Sequence, residues 1–152
     1  MRSLSTLASL VLFCAPVLGF QTAWQQSTYF KALNAEAGDE FGAAVALSQN
    51  FLVVGAPGEA SSSKGVSGNP TINGAPDSGA VFVFRKLGAG WKLEGYLKGS
   101  NAQAGDRFGT SVAVFGDTIA VGAPLEDSDS DGINQVQNDE TAPHAGAVYL
   151  FR

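Results

Sequence analysis

The chain has 152 residues and a formal net charge of −5, with 9 Lys and Arg against 14 Asp and Glu. The basic residues are scattered, which argues against a nucleic-acid partner. The apolar fraction is 45% with 19 glycines, neither a disordered nor a collagen-like composition. The length suits one modest domain.

In chain order, the first element is a secretory signal peptide, expected over residues 1–19. Arg2 supplies its positive start, Leu7 to Phe13 its apolar stretch, and Val17 and Gly19 the small residues before a cut after Gly19. The apolar run is short for a membrane-spanning helix, and an uncleaved anchor is the alternative. Cys14 is the single cysteine and would leave with the signal. The mature chain is then secreted or displayed at the surface without a disulfide. Asn69-Pro70-Thr71 is blocked as a glycosylation acceptor by its proline.

Residues 20–33 form a lead-in carrying a polar strand, Trp24 to Lys31. Two tandem units follow, 34–100 and 101–152. Displaced by 67 residues, Trp24–Arg85 overlies Trp91–Arg152 without a gap, and 27 of 62 positions are identical. Chance does not produce such a match, so the chain is an internal repeat. Strands are expected at Ala43–Ser48, Phe51–Ala56, Ala80–Phe84 and Trp91–Lys98. The first three recur at Thr110–Phe115, Thr118–Ala123 and Ala147–Phe151. The second unit lacks the outer strand.

The apolar strands are apolar on both faces: Val81 and Val83 point one way, Phe82 and Phe84 the other. A lone sheet with one wet face would alternate. Sheets stacked face to face, as in propeller blades, cover both sides. A small β-sandwich is the competing arrangement. Each "AGD" before a Phe reads as a tight turn, with Gly38 and Gly105 at positive φ and Asp39 and Asp106 bonding nearby N–H groups. Gly42 and Gly109 fit close packing against a neighbouring sheet.

Phe41-Gly42 with Gly55-Ala56-Pro57, then Phe108-Gly109 with Gly122-Ala123-Pro124, resemble the FG-GAP repeat of the integrin α-subunit propeller. The resemblance spans Trp24 to Arg152. It implies an all-β fold of propeller-type blades, with the FG strand innermost, then the GAP strand, then the GAV strand, and the Trp/Tyr strand outermost. Ala43 to Lys98 is then one complete blade. Two blades do not close a ring of about four to eight. A fragment of a longer propeller is the favoured expectation; self-association or an open two-sheet stack are the alternatives.

The candidate metal site is "DSDSDGINQ". Asp127, Asp129 and Asp131 alternate, Gly132 takes the turn, Ile133 offers a carbonyl, and Gln135 stands where an integrin-type loop has Asp. Calcium takes about six to eight oxygens, and alternating Asp is one way to gather them. Asn138 replaces the Glu that an EF-hand requires, with Asp139 and Glu140 just beyond. The resemblance places the family's calcium loop between FG and GAP, whereas Phe115 to Thr118 is only a short turn. The first unit has Ala60, Ser62 and Lys64 at the matching positions. A solvated Ser/Asp/Gly loop is the competing reading. His144 stands alone, so zinc is not expected.

No catalytic constellation is visible, and no enzyme activity is expected within this segment. The leading functional expectation is a binding or adhesion module, whose long loops Gly58–Ser78 and Leu125–Ala145 meet a protein or glycan. A structural repeat array and a non-catalytic propeller segment of a larger secreted enzyme are the alternatives.

Overall fold

The computed structural model describes residues 23–152. The expected signal peptide and Cys14 lie outside the described residues. Among the described residues no helix is long and apolar enough to cross a membrane.

Among the described residues seven strands form two antiparallel sheets. The first sheet has the order β1 (Ala44–Leu47), β2 (Phe51–Ala56), β3 (Ala80–Leu87), β4 (Gly90–Leu97). The second has the order β5 (Ser111–Phe115), β6 (Thr118–Ala123), β7 (Ala147–Phe151). The strands follow the repeat, and each sheet is a meander in the blade order expected. β2, β6 and β7 have the expected bounds, and the other strands shift by one to three residues at one end or both. β3 runs on to Leu87 because Gly88, at φ 59°, turns it directly into β4.

The two sheets stack. Their shared core is built from Val53, Val81, Val83 and Leu97 of the first sheet and Phe108, Ile119, Val121 and Ala123 of the second unit. Val112, Val114, Tyr149 and Phe151 pack against it. The opposite face of the first sheet carries Val54, Phe82, Phe84 and Tyr96, covered in part by Phe30, Phe41 and Trp91. Phe41 packs edge-on to Phe82 at 5.3 Å, and Phe108 edge-on to Tyr149 at 5.3 Å. Each FG phenylalanine therefore lies on the GAV strand of its own blade.

The FG and GAP glycines have a steric cause. A Cβ on Gly55 would lie 2.0 Å from the carbonyl oxygen of Gly109, so the GAP glycine of one blade admits the FG backbone of the next. Gly109 itself sits at φ +91°, its added Cβ 2.6 Å from the Ala80 carbonyl oxygen. The expectation of close packing holds at Gly109. At Gly42 nothing lies within 4 Å of an added Cβ, because no blade precedes it among the described residues.

One expected element is corrected. Trp24 to Lys31 forms no strand and has no ladder partner among the described residues. Trp24 and Tyr29 face solvent, and only Phe30 is anchored, edge-on to Phe84 at 5.0 Å and to Trp91 at 5.8 Å. A strand exists only when paired, and its repeat-mate β4 is held by β3.

Candidate functional site

The turn before each FG strand is as expected. The Glu36 N–H donates to Asp39 Oδ2 at 2.7 Å, and the Gln103 N–H to Asp106 Oδ2 at 2.7 Å. Gly38 and Gly105 take φ 91° and 95°. Asp39 and Asp106 are thus turn-forming residues.

A buried polar network lies beside the first turn, at the base of the loop Gly58–Ser78. Lys98, at the end of β4, is fully buried, and its ammonium donates to Glu59 Oε2 at 3.0 Å and to Ser78 Oγ at 2.7 Å. The Ser61 hydroxyl donates to Glu59 Oε2 at 3.0 Å and also meets the Tyr96 hydroxyl. The Asn34 amide donates to Glu59 Oε1 at 2.9 Å and to the Pro70 carbonyl at 2.8 Å. Burial pulls the Lys98 ammonium below its ordinary value, opposed by the Glu59 carboxylate. Burial pushes the Tyr96 phenol well up. A desolvated ion pair survives only with its remaining polar groups satisfied, and these bonds supply that. The network clasps the start of the unit, its long loop and the outer strand into one blade.

The second blade repeats the clasp as far as its residues allow. The Asn101 amide donates to Glu126 Oε1 at 2.6 Å and to the Gln137 carbonyl at 2.8 Å, and Ser128 donates to Glu126 Oε2 at 2.8 Å. These partners match Asn34, Glu59, Pro70 and Ser61 at the 67-residue spacing. Two differences follow from sequence. Tyr149 donates to Asn101 Oδ1 at 2.6 Å, whereas its mate Phe82 has no hydroxyl, and Asn34 Oδ1 is buried without a partner among the described residues. Glu126 is buried, yet among the described residues no Lys or Arg pairs with it. Burial raises Asp106 and Tyr149, and the Glu126 carboxylate adds to both shifts.

Sequence reasoning passed over Glu59, Lys98 and Asn34. The signal was present: Asn, Glu, Ser and Lys recur identically at Asn34/Asn101, Glu59/Glu126, Ser61/Ser128 and Lys31/Lys98. A polar residue repeated at a strand end or loop base, where turn chemistry does not require it, marks a buried network.

The candidate calcium loop spans Asp127 to Gln135. Asp127 is half-buried, and its Oδ1 accepts the His144 N–H at 2.6 Å. Asp129 and Asp131 are exposed. The Ile133 carbonyl accepts from the Gln135 side chain at 3.3 Å. Among the described residues no three His, Cys, Asp or Glu side chains converge as a metal would need. Gly132, which suggested the turn of a calcium loop, has a structural mate: Gly65 occupies the same repeat position, with φ 70° against 93°. Ser67 and Asn134 correspond likewise, at φ 59° and 55°. In the first unit this short segment pairs with the outer strand: the Ser67 N–H donates to Tyr96 O and the Lys98 N–H to Gly65 O, each at 2.8 Å. In the first unit the glycine thus serves blade construction.

Beside the same loop lies a cleft of about 880 Å³, between the segment Gly132–Val136 and strand β7, with Glu126 on its wall. In the first blade the corresponding space holds the end of β4.

Comparison with curated proteins gives no match. The family description "FG-GAP repeat" matches residues 24–84 and 91–151. Those two spans contain both blades and most of the chain, and the chain belongs to the FG-GAP repeat family.

Proposed function

We propose that this chain is a secreted or surface-displayed, non-catalytic binding module that presents its GAP-to-GAV loops to a protein or glycan partner. The observation that supports this reading is the contrast between loop base and loop tip. Buried Glu59 and Glu126 fix the bases. The tip of the second loop exposes Asp129, Asp131, Asp139 and Glu140, with no Lys or Arg between Leu125 and Ala145. A variable loop on a rigid base is a common location for recognition. The negative tip favours a cationic face on the partner. Clustering also acts on the loop itself: desolvation, then Glu126 and Asp127, raise Glu140.

The test uses an array of extracellular protein domains and glycans, probed with the wild type and an Asp129→Asn, Asp131→Asn, Asp139→Asn variant. The reading expects a hit that weakens at least tenfold in the variant and with added salt. A hit unaffected by the exchange, or no hit on either array, would contradict it, the latter favouring a purely structural repeat.

A further inference from the structure

We propose that Asn73 is a modification site, at which spontaneous deamidation to aspartate or isoaspartate unlatches the tip of the loop Gly58–Ser78 from its blade.

The first support is chemical. Of the chain's asparagines only Asn73 precedes a glycine. In this reaction the main-chain nitrogen of the next residue attacks the asparagine Cγ, and a Cβ on that residue obstructs the approach; glycine has none. A bond forms between the Gly74 nitrogen and Asn73 Cγ, and the Cγ–Nδ2 bond breaks. The proton that Gly74 gives up goes to the departing nitrogen, which leaves as ammonia. Water then opens the cyclic imide, at Cγ to give aspartate or at the main-chain carbonyl to give isoaspartate. Asn69 has no such route, since Pro70 carries no N–H. The Asn34 and Asn101 carboxamides are held on Glu59 and Glu126. Asn73 and Gly74 are exposed and belong to no strand.

The second support is what the reaction would change. The Asn73 amide donates to Glu36 Oε2 at 2.6 Å, joining the loop tip to the turn before the FG strand. The Gly74 N–H donates to the Ile72 carbonyl at 2.9 Å, which also receives the Ser62 N–H at 2.8 Å. The Asn73 and Gly74 bonds must open before the Gly74 nitrogen reaches Cγ, so attack proceeds from the locally opened loop. The product is a carboxylate facing Glu36, with repulsion in place of a hydrogen bond. Isoaspartate also lengthens the main chain within the loop. A reversible opening thereby becomes a lasting one.

The third support comes from the second blade. At the 67-residue spacing Glu36 corresponds to Gln103 and Asn73 to Glu140. There the Gln103 amide donates to the Glu140 carboxylate. Both units keep one amide and one carboxylate in this pair, with the two exchanged between sides. The position of Asn73 therefore accepts an acid only opposite an amide. An acid at residue 73 facing Glu36 breaks that complementarity, and Glu36→Gln restores it.

The test incubates the purified chain at mildly alkaline pH and follows residue 73 by peptide mass and by isoaspartate-specific methylation. Asn73 should convert faster than every other asparagine, Glu36→Ala should speed the conversion, and Gly74→Ala should arrest it. Gly74 is not at positive φ, and an added Cβ would lie 3.1 Å from the Ser62 hydroxyl, which can rotate away, so that variant keeps the loop. Hydrogen exchange at the Ser62 and Gly74 amides should be faster in Asn73→Asp than in the wild type. It should return to the wild-type rate when Glu36→Gln is added. These readouts report on the loop itself and do not depend on a partner. The proposal is overturned if Asn73 converts no faster than another asparagine, if its rate ignores Glu36→Ala or Gly74→Ala, or if Asn73→Asp exchanges as the wild type does.

Discussion

The two blades are one sequence pattern in two surroundings. The first has four strands, a covered face on the second blade, and a buried carboxylate paired with a buried ammonium. The second has three strands, a bare face and the same carboxylate without a cation among the described residues. The comparison separates what a repeat contributes by itself from what its neighbours contribute. Strand pairing, the Asp turn and the Asn–Glu–Ser bonds recur in both blades, so they belong to the repeat. Burial of the valine faces and closure of the Glu–Lys pair occur only where an outer strand and a following blade are present.

The largest expected difference is at the clasp. Lys98→Met strands Glu59 as a buried, uncompensated charge and should cost about 3–5 kcal/mol in urea unfolding. Adding Glu59→Gln should recover much of that loss. Lys31→Met should cost less than about 0.5 kcal/mol, since Lys31 is exposed. Equal losses at both lysines would break the comparison.

Next is the GAP glycine. Gly55→Ala pushes a methyl into the Gly109 carbonyl and should cost about 1–3 kcal/mol, because backbone must move. Gly122→Ala meets the Ser111 hydroxyl, which can rotate away, and should change stability by under about 0.5 kcal/mol. Thermal melts of the two variants decide between a steric role and a merely conformational one.

A smaller gain is expected from Phe82→Tyr. Its hydroxyl would reach the orphaned Asn34 Oδ1 as Tyr149 reaches Asn101, worth about 0.5–1.5 kcal/mol. No gain would show that Asn34 is not held as Asn101 is.

The pH dependence is smaller still. Asp106 titrates above its ordinary value in the folded chain, so between the two values the native state binds more protons than the unfolded state. Its contribution to stability therefore falls as pH rises through that window and recovers on acidification. Burial is the main cause and Glu126 a secondary one, so Glu126→Gln should reduce this slope without abolishing it. Urea midpoints from the ordinary carboxylate range toward neutrality measure it. Smallest of all, Asp129→Ala with Asp131→Ala should leave the melt within about 0.5 kcal/mol, with or without millimolar calcium. A calcium-dependent rise that the double change removes would support the metal reading.

The repeat, the strands and the blade order were legible because apolar alternation and turn chemistry are local and occur twice. The Asp39 and Asp106 turns were legible for the same reason. Trp24–Lys31 was misread because a strand's existence depends on its partner, and β-like composition does not supply one. The clasp was missed because Glu59 and Lys98 lie far apart in segments that look solvated, and hydropathy does not show which charge is buried. The aspartate run was read from carboxylate spacing, while Gly132 owed its place to the repeat and matches Gly65.

The central claim, that a buried Glu59–Lys98 pair locks the outer strand into its blade, is tested most directly by a double-mutant cycle in urea. Lys98→Met and Glu59→Gln, made singly and together, should give single losses whose sum exceeds the loss of the pair. Additive losses would contradict the account.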